Sequence, residues 1–252
     1  MTPILVQHSI TLTIGRNSLI RRAVNDIEDL VKAASEHGFV QPQIVPVPDE
    51  FGPEMPRVIF SSQAGYTQLL ISQISVTFIA NYSEDWASDP ERCLSYLSSK
   101  VDLLFDIARV GWRKTAGPSF AGITTVLRIP APNRNLSVEM MLPFFAESMN
   151  FSDIAGEVSC RWSRASDDHF FNNISVQTFI NVDEGRVSFK NGLPVITDDV
   201  IDSCGVEISG DFNDRLAFNS HPEYSTDAAC VREMLTKGYV SAQDALRTIR
   251  KG

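Results

Sequence analysis

Three acidic turns hold the residue types most capable of chemistry. Asp167-Asp168-His169 stands before an alternating apolar run, Asp211-Phe212-Asn213-Asp214 follows another, and Asp198-Asp199 lies close to Asp202. Carboxylates on loops are hard oxygen ligands of the kind that hold Mg²⁺ or Ca²⁺, and His169 beside them could act as a general base. Their spacing fits no metal loop of known pattern, the EF-hand included. Aspartate and asparagine in turns also accept bonds from nearby backbone N–H groups, and that structural role is the expectation for these turns. Divalent-metal or small-ligand chemistry through Asp167, Asp168, His169 and Asp211 is the alternative.

Other chemical signals are thinner. The chain has no glycine-rich phosphate loop, no HExxH, no nucleophile elbow and no cysteine–histidine cluster, so neither a cofactor nor a metal is expected. His8 falls on the apolar side of an alternating run, where a satisfied core histidine is expected rather than a catalytic one. Arg57 follows Pro56 at a strand start and is expected to pair with a carboxylate from the acidic half. Trp86 and Trp112 flank a helical stretch and read as core.

Charge limits the partners. The net charge is −9, the wrong sign for phosphate contacts, so no nucleic acid is expected. Residues 153–227 carry fourteen Asp and Glu against five Arg and Lys, so this stretch holds the whole net charge. Such a surface favours a protein with a basic contact face, with Asp198, Asp199, Asp202 and Asp214 as its docking residues. Solvated loops that keep the protein soluble are the plainer explanation. No run approaches the ~18 apolar residues of a membrane span, and no basic leader precedes the first apolar run. Four cysteines far apart suggest reduced thiols, and the expected location is cytoplasmic. Self-association is a further expectation for partners.

The elements that must position these residues can be read from periodicity. Residues 4–14 alternate as a half-buried strand, with Ile4, Val6, His8, Ile10, Leu12 and Ile14 on one face. A helix follows over 18–37. Five prolines in 41–56 exclude a regular element there. Strands are predicted at 57–62, 67–72 and 74–81, then one helix over 89–110 with Asp89 as its cap and Pro90 in its first turn. A second series runs from a strand at 120–130 through a helix at 136–149 interrupted by Pro143. Strands follow at 154–162, 172–182 and 203–210, with Asp183-Glu184-Gly185 turning into Val187 and Phe189. A helix from Asp227 is expected to stop at Gly238, with a last short one from Ser241. The fold class is therefore α+β. Two similarly ordered halves, 1–116 and 117–252, each strand–helix–antiparallel meander–helix, would pack as one two-part fold.

One stretch has a distinctive cadence: Pro56-Arg57-Val58-Ile59-Phe60-Ser61-Ser62, then Leu69-Leu70-Ile71-Ser72-Gln73, then Asn81-Tyr82 and Trp86. It resembles a sporadically distributed family of uncharacterised bacterial proteins of about this length. That family carries a Leu-Arg-Tyr strand after the central helix, where this chain has Leu127-Arg128-Ile129. The resemblance implies patchy inheritance of the kind seen for mobile or defence-related genes, and no activity. Together these observations point to a non-catalytic protein-binding factor of accessory, regulatory or neutralising (antitoxin, immunity or defence) type. The alternative is an enzyme or small-ligand binder with a pocket between two sheets.

Overall fold

In the computed structural model, residues 3–33, 38–48, 50–113, 117–145 and 157–251 are described. The first strand, β1, runs Ile4–Ile14. Its helix starts as a 3₁₀ turn, Ile20–Ala23, and continues as α1, Val24–Ala33; residues 34–37 of the expected span lie outside the described residues. A short strand β2, Gln43–Ile44, forms within the proline-rich stretch, where no element was expected. Pro42 and Pro46 flank it without interrupting it, and both of its residues pair with β3, Val58–Ser61. Strands β4, Thr67–Ile71, and β5, Ser75–Asn81, complete the meander.

A short helix α2, Glu84–Ala87, comes first, and the single helix expected over 89–110 is instead two pieces: α3, Pro90–Ser98, and α4, Val101–Gly111. Asp89 does cap α3, accepting from Arg92 N at 3.0 Å. The helix is interrupted where the Ser99 hydroxyl turns back to donate to the Tyr96 carbonyl at 2.6 Å. The central strand β6, Pro118–Ala131, leads into α5, Arg134–Glu139, and a 3₁₀ turn at Leu142–Phe144 containing Pro143. The rest of the helix expected to 149 lies outside the described residues. Residues 154–156 of the strand expected over 154–162 also lie outside the described residues; 157 and 158 are not in a strand, and β7 runs Ser159–Ser166, past the expected end. Then come β8, Phe170–Val182; a small hairpin of β9, Ser188–Lys190, and β10, Leu193–Val195; and β11, Ile201–Asn213. Helix α6, Arg215–Ser220, precedes α7, Ala228–Lys251.

Helix α7 passes through Gly238, where the sequence suggested a stop. A Cβ there would lie 3.1 Å from the Cβ of Phe212, so the glycine is used for close approach of helix to sheet rather than for termination.

Nine strands form one antiparallel sheet in the order β2-β3-β4-β5-β1-β6-β11-β8-β7. The centre is the β1–β6 pair, with Ile10 opposite Ile123. Outward from β1 lie β5, β4, β3 and β2; outward from β6 lie β11, β8 and β7. Because these strands make one sheet rather than two facing ones, the expected pocket between two sheets has no counterpart among them. Alternation decides which face is covered. Leu5, Ile10 and Leu12 of β1, Ile123 and Leu127 of β6, and Val206 and Ile208 of β11 are buried beneath α3, α4 and α7. The opposite face presents short polar side chains: Ser9, Thr11, Thr77, Thr124, Asn173 and Asp211. They bond laterally, as in Thr11–Thr77 at 3.1 Å and Asn173 Nδ2 to Asp211 Oδ2 at 2.9 Å.

Candidate functional site

The three acidic turns come apart in space. Asp167 and Asp168 are the central residues of the β7–β8 turn, with φ of 56° and 51°, a left-handed conformation that aspartate tolerates. Asp167 pairs with Lys237 of α7 at 2.7 Å, which holds its carboxyl below the usual range. Asp211 lies on the bare sheet face, accepting from Asn173 and Asn213. Among the described residues no group of three or more His, Cys, Asp or Glu is placed to hold a metal ion.

His169 is instead part of a partly buried polar knot. The Tyr224 hydroxyl donates to Asp214 Oδ2 at 2.7 Å, so the His169 Nε2–H must be the donor in the 3.0 Å contact with that hydroxyl. Asp214 Oδ1 accepts from the backbone N–H of Ala121 at 2.7 Å, and Cys230 Sγ lies 3.7 Å from Oδ2. Cysteine, histidine and aspartate are thus close together, but the arrangement opposes nucleophilic catalysis. Burial pushes the Cys230 thiol up to about 11, so at neutral pH it keeps its proton. Burial first, then the Asp214 carboxylate, raises the Tyr224 hydroxyl far above its ordinary value. The knot fastens the 221–227 segment to the β7–β8 turn and to the start of β6. Asp214, expected on a docking surface, is fully buried within it and cannot meet a partner.

The other docking residues are exposed, and they stand beside a feature that the charge pattern alone did not reveal. The β9–β10 hairpin lies outside the nine-stranded sheet as a separate two-stranded arm. Its turn is Asn191-Gly192, both with positive φ (53° and 79°), the combination that favours a two-residue hairpin loop. That Asn-Gly, between Val187 or Phe189 and Leu193 or Val195, was the sequence signal available for the arm. Phe189 and Leu193 are each 69% exposed and Ile196 is 50% exposed. At the base of the arm, Asp183 N–H donates to the Val200 carbonyl at 2.9 Å, and Arg186 bonds both Asp183 Oδ2 and the Asp199 carbonyl. Asp198, Asp199 and Asp202 follow directly. The Thr197 hydroxyl bond is the main cause that lowers the Asp199 carboxyl. A cleft of about 450 Å³ adjoins the base, lined by Asn133, Arg134, Val138, Asp198, Asp202 and Cys204, with Arg134 3.8 Å from Asp198.

The remaining sequence candidates serve the scaffold. His8 is fully buried; its Nδ1 lies 3.1 Å from the Tyr82 hydroxyl, and burial pushes its imidazole down to about 4. Arg57 is also fully buried. Its described bonds run to the carbonyls of Pro48, Phe51, Gly52 and Met55, so it clasps the proline-rich loop of its own half, where a carboxylate of the acidic half was expected. Trp112 is buried, with its indole N–H directed at the Gln73 carbonyl at 3.4 Å, whereas Trp86 is only half-buried. No helix among the described residues is long and apolar enough to cross a membrane. No family model, curated protein or solved structure matches the chain.

Proposed function

We propose that this chain is a non-catalytic protein-binding factor that engages its partner through the β9–β10 arm. One observation carries the proposal: the two-stranded arm leaves Phe189 exposed on one face, opposite Pro194, and Leu193 exposed on the other, and Ile196 directly after the arm is exposed as well. Large apolar groups left exposed on a projecting element bordered by polar residues are a usual anchor of a protein interface. Leaving them in water has no benefit for the fold. The carboxylates of Asp183, Glu184, Asp198, Asp199 and Asp202 surround the base of the arm. The complementary partner surface is therefore an apolar pocket with a basic rim.

The accessory, regulatory or neutralising role and the antitoxin, immunity or defence setting belong to this proposal, supported by the cadence shared with a sporadically distributed bacterial family. A cytoplasmic setting belongs to it too; four cysteines without disulfides suit a reducing compartment. We also read the chain as two related halves, 1–116 and 117–252. The order of strands outward from β1 and from β6 supports this, each half being strand, helix, meander and helices.

The test is recovery of the bound protein from cells expressing the wild type or a Phe189→Ser/Leu193→Ser variant. Both residues are exposed, so the variant should keep its stability within about 0.5 kcal/mol. Recovery should fall by tenfold or more. A triple Asp→Asn change at 198, 199 and 202 should mainly slow association and reduce its salt dependence. Undiminished recovery by the serine variant would refute the proposal.

A further inference from the structure

The nine-stranded sheet ends differently on its two sides. At one edge β2 is two residues long and flanked by Pro42 and Pro46, a guard against further pairing. At the other, β7 is eight residues long, carries neither proline nor bulge, and pairs with β8 alone among the described strands. The Thr178 N–H donates to the Val158 carbonyl at 2.9 Å, which sets the alternation along β7. The N–H and C=O groups of Ser159, Arg161, Ser163 and Ala165 therefore point away from β8. All four residues are exposed. An open edge of this length is a template for one more strand.

The side chains of β7 say what that strand must carry. Arg161 and Arg164 are exposed on opposite faces of the sheet, and neither side chain has an ion-pair or hydrogen-bond partner among the described residues. Trp162 and Arg164 also line a cavity of about 500 Å³ between β7, β8 and α7, together with Ile174 and Val240. The other charged groups lining it are already paired, Asp167 with Lys237 at 2.7 Å and Asp244 with Arg247 at 2.6 Å. An added strand would turn every second side chain toward this cavity. The two unpaired cations oppose a second copy of β7 and favour a strand with carboxylates opposite them.

We propose that β7 accepts an extended acidic segment of a partner protein as a further antiparallel strand. One carboxylate stands opposite Arg164 and another, three residues on, opposite Arg161. An apolar residue between them faces Trp162 and the cavity, so the pattern is acidic–x–apolar–acidic. The test titrates the whole protein with the hexapeptide Ac-Thr-Glu-Thr-Val-Glu-Thr-NH2 and follows the backbone amide resonances of Arg161 and Ser163. Both should shift saturably, and their hydrogen exchange should slow as the edge becomes paired. Replacing both glutamates of the peptide with lysine should weaken binding by about tenfold or more, and Arg161→Gln/Arg164→Gln should weaken the glutamate peptide several-fold. N-methylation separates strand addition from simple charge attraction. In the paired register the N–H of the third peptide residue points at β7 and that of the fourth points away. A methyl group on the third should therefore cost about tenfold or more, and one on the fourth little. Equal effects of the two methyl groups, equal binding of the lysine peptide, or no saturable shift would overturn the proposal. So would a dimer in sedimentation that excludes the peptide, since a second copy would then hold the edge. The Phe189→Ser/Leu193→Ser variant should bind the peptide as the wild type does, because this edge does not rest on the role of the arm.

Discussion

His8 shows what a single residue can and cannot disclose in sequence. Its place on the apolar face of β1 predicted a satisfied core histidine; it is fully buried, beside the rings of Tyr82 and Tyr239, but its Nε2 has no hydrogen-bond partner among the described residues. Asp211, expected in a turn after a strand ending at 210, lies instead within β11, on the face opposite the core. Asp214, only three residues on, was not legible as buried, because its burial depends on Ala121, Tyr224 and Cys230, which are distant in the chain. The same holds for His169, whose partner is fifty-five residues away. A pH effect follows from His8. Its folded-state pKa of about 4 lies below the ordinary 6.5, so the unfolded chain takes up the proton first as pH falls. The stability held above pH ~6.5 should be lost progressively down to about pH 4, by roughly 3 kcal/mol in order of magnitude. Urea unfolding at pH 7.5 and 4.0 checks this. His8→Phe, similar in size and unable to titrate, should lose about that much less than the wild type over the same interval. Parallel pH profiles for the two proteins would show that the buried imidazole is not the cause.

At the scale of elements, strands were more legible than helices and turns. Strand β1 has the bounds its alternation gives, and the meander strands differ from expectation by a residue or so at their ends. Period two holds from His8 to Ile14, where one face is buried; at the strand's start a register shift between Leu5 and Gln7 puts Leu5 in the core and leaves Ile4, expected on the buried face, exposed. The helices were harder because their ends depend on tertiary contacts. Gly238 looked like a stop but lies inside α7, where its missing side chain lets the helix approach Phe212. The arm was not legible from periodicity because its strands are only three residues each, and its signal is the turn alone, Asn191-Gly192. A second close approach gives a sharp test. In β11, Gly205 lies opposite Pro130 of β6, and a Cβ on it would come 2.0 Å from the Ile129 carbonyl oxygen and 2.9 Å from the Phe179 ring. The first neighbour is backbone and cannot rotate away, so Gly205→Ala must push β11 from β6. A loss of about 2–3 kcal/mol in denaturant unfolding is expected. A change below 0.5 kcal/mol would mean that this part of the sheet yields more easily than its geometry implies.

For the molecule as a whole, the α+β class and the antiparallel pairing were legible, and their closure into one nine-stranded sheet explains why. Both series of elements hide their apolar faces under helices on the same side. One core cluster combines Phe60 and Phe78 from the first series with Phe170, Phe212 and Met234 from the second. If the chain is a pair of related units joined at β1–β6, then residues 1–116 and 117–252 made as separate polypeptides should not fold alone. Each would expose its share of that common core. Co-expressed, they should copurify as a folded complex with the circular dichroism of the intact chain, and failure to associate would count against the two-unit arrangement. Function was the least legible property, because neither charge nor periodicity shows which apolar side chains remain in water. The account rests on the exposed arm, and the most direct measurement is photo-crosslinking in the cells that produce the protein. A photoreactive residue placed at Phe189 should give an adduct with one discrete protein. The same residue placed at Arg109, an exposed position on α4, should not. An adduct from Arg109 with none from Phe189 would contradict the account.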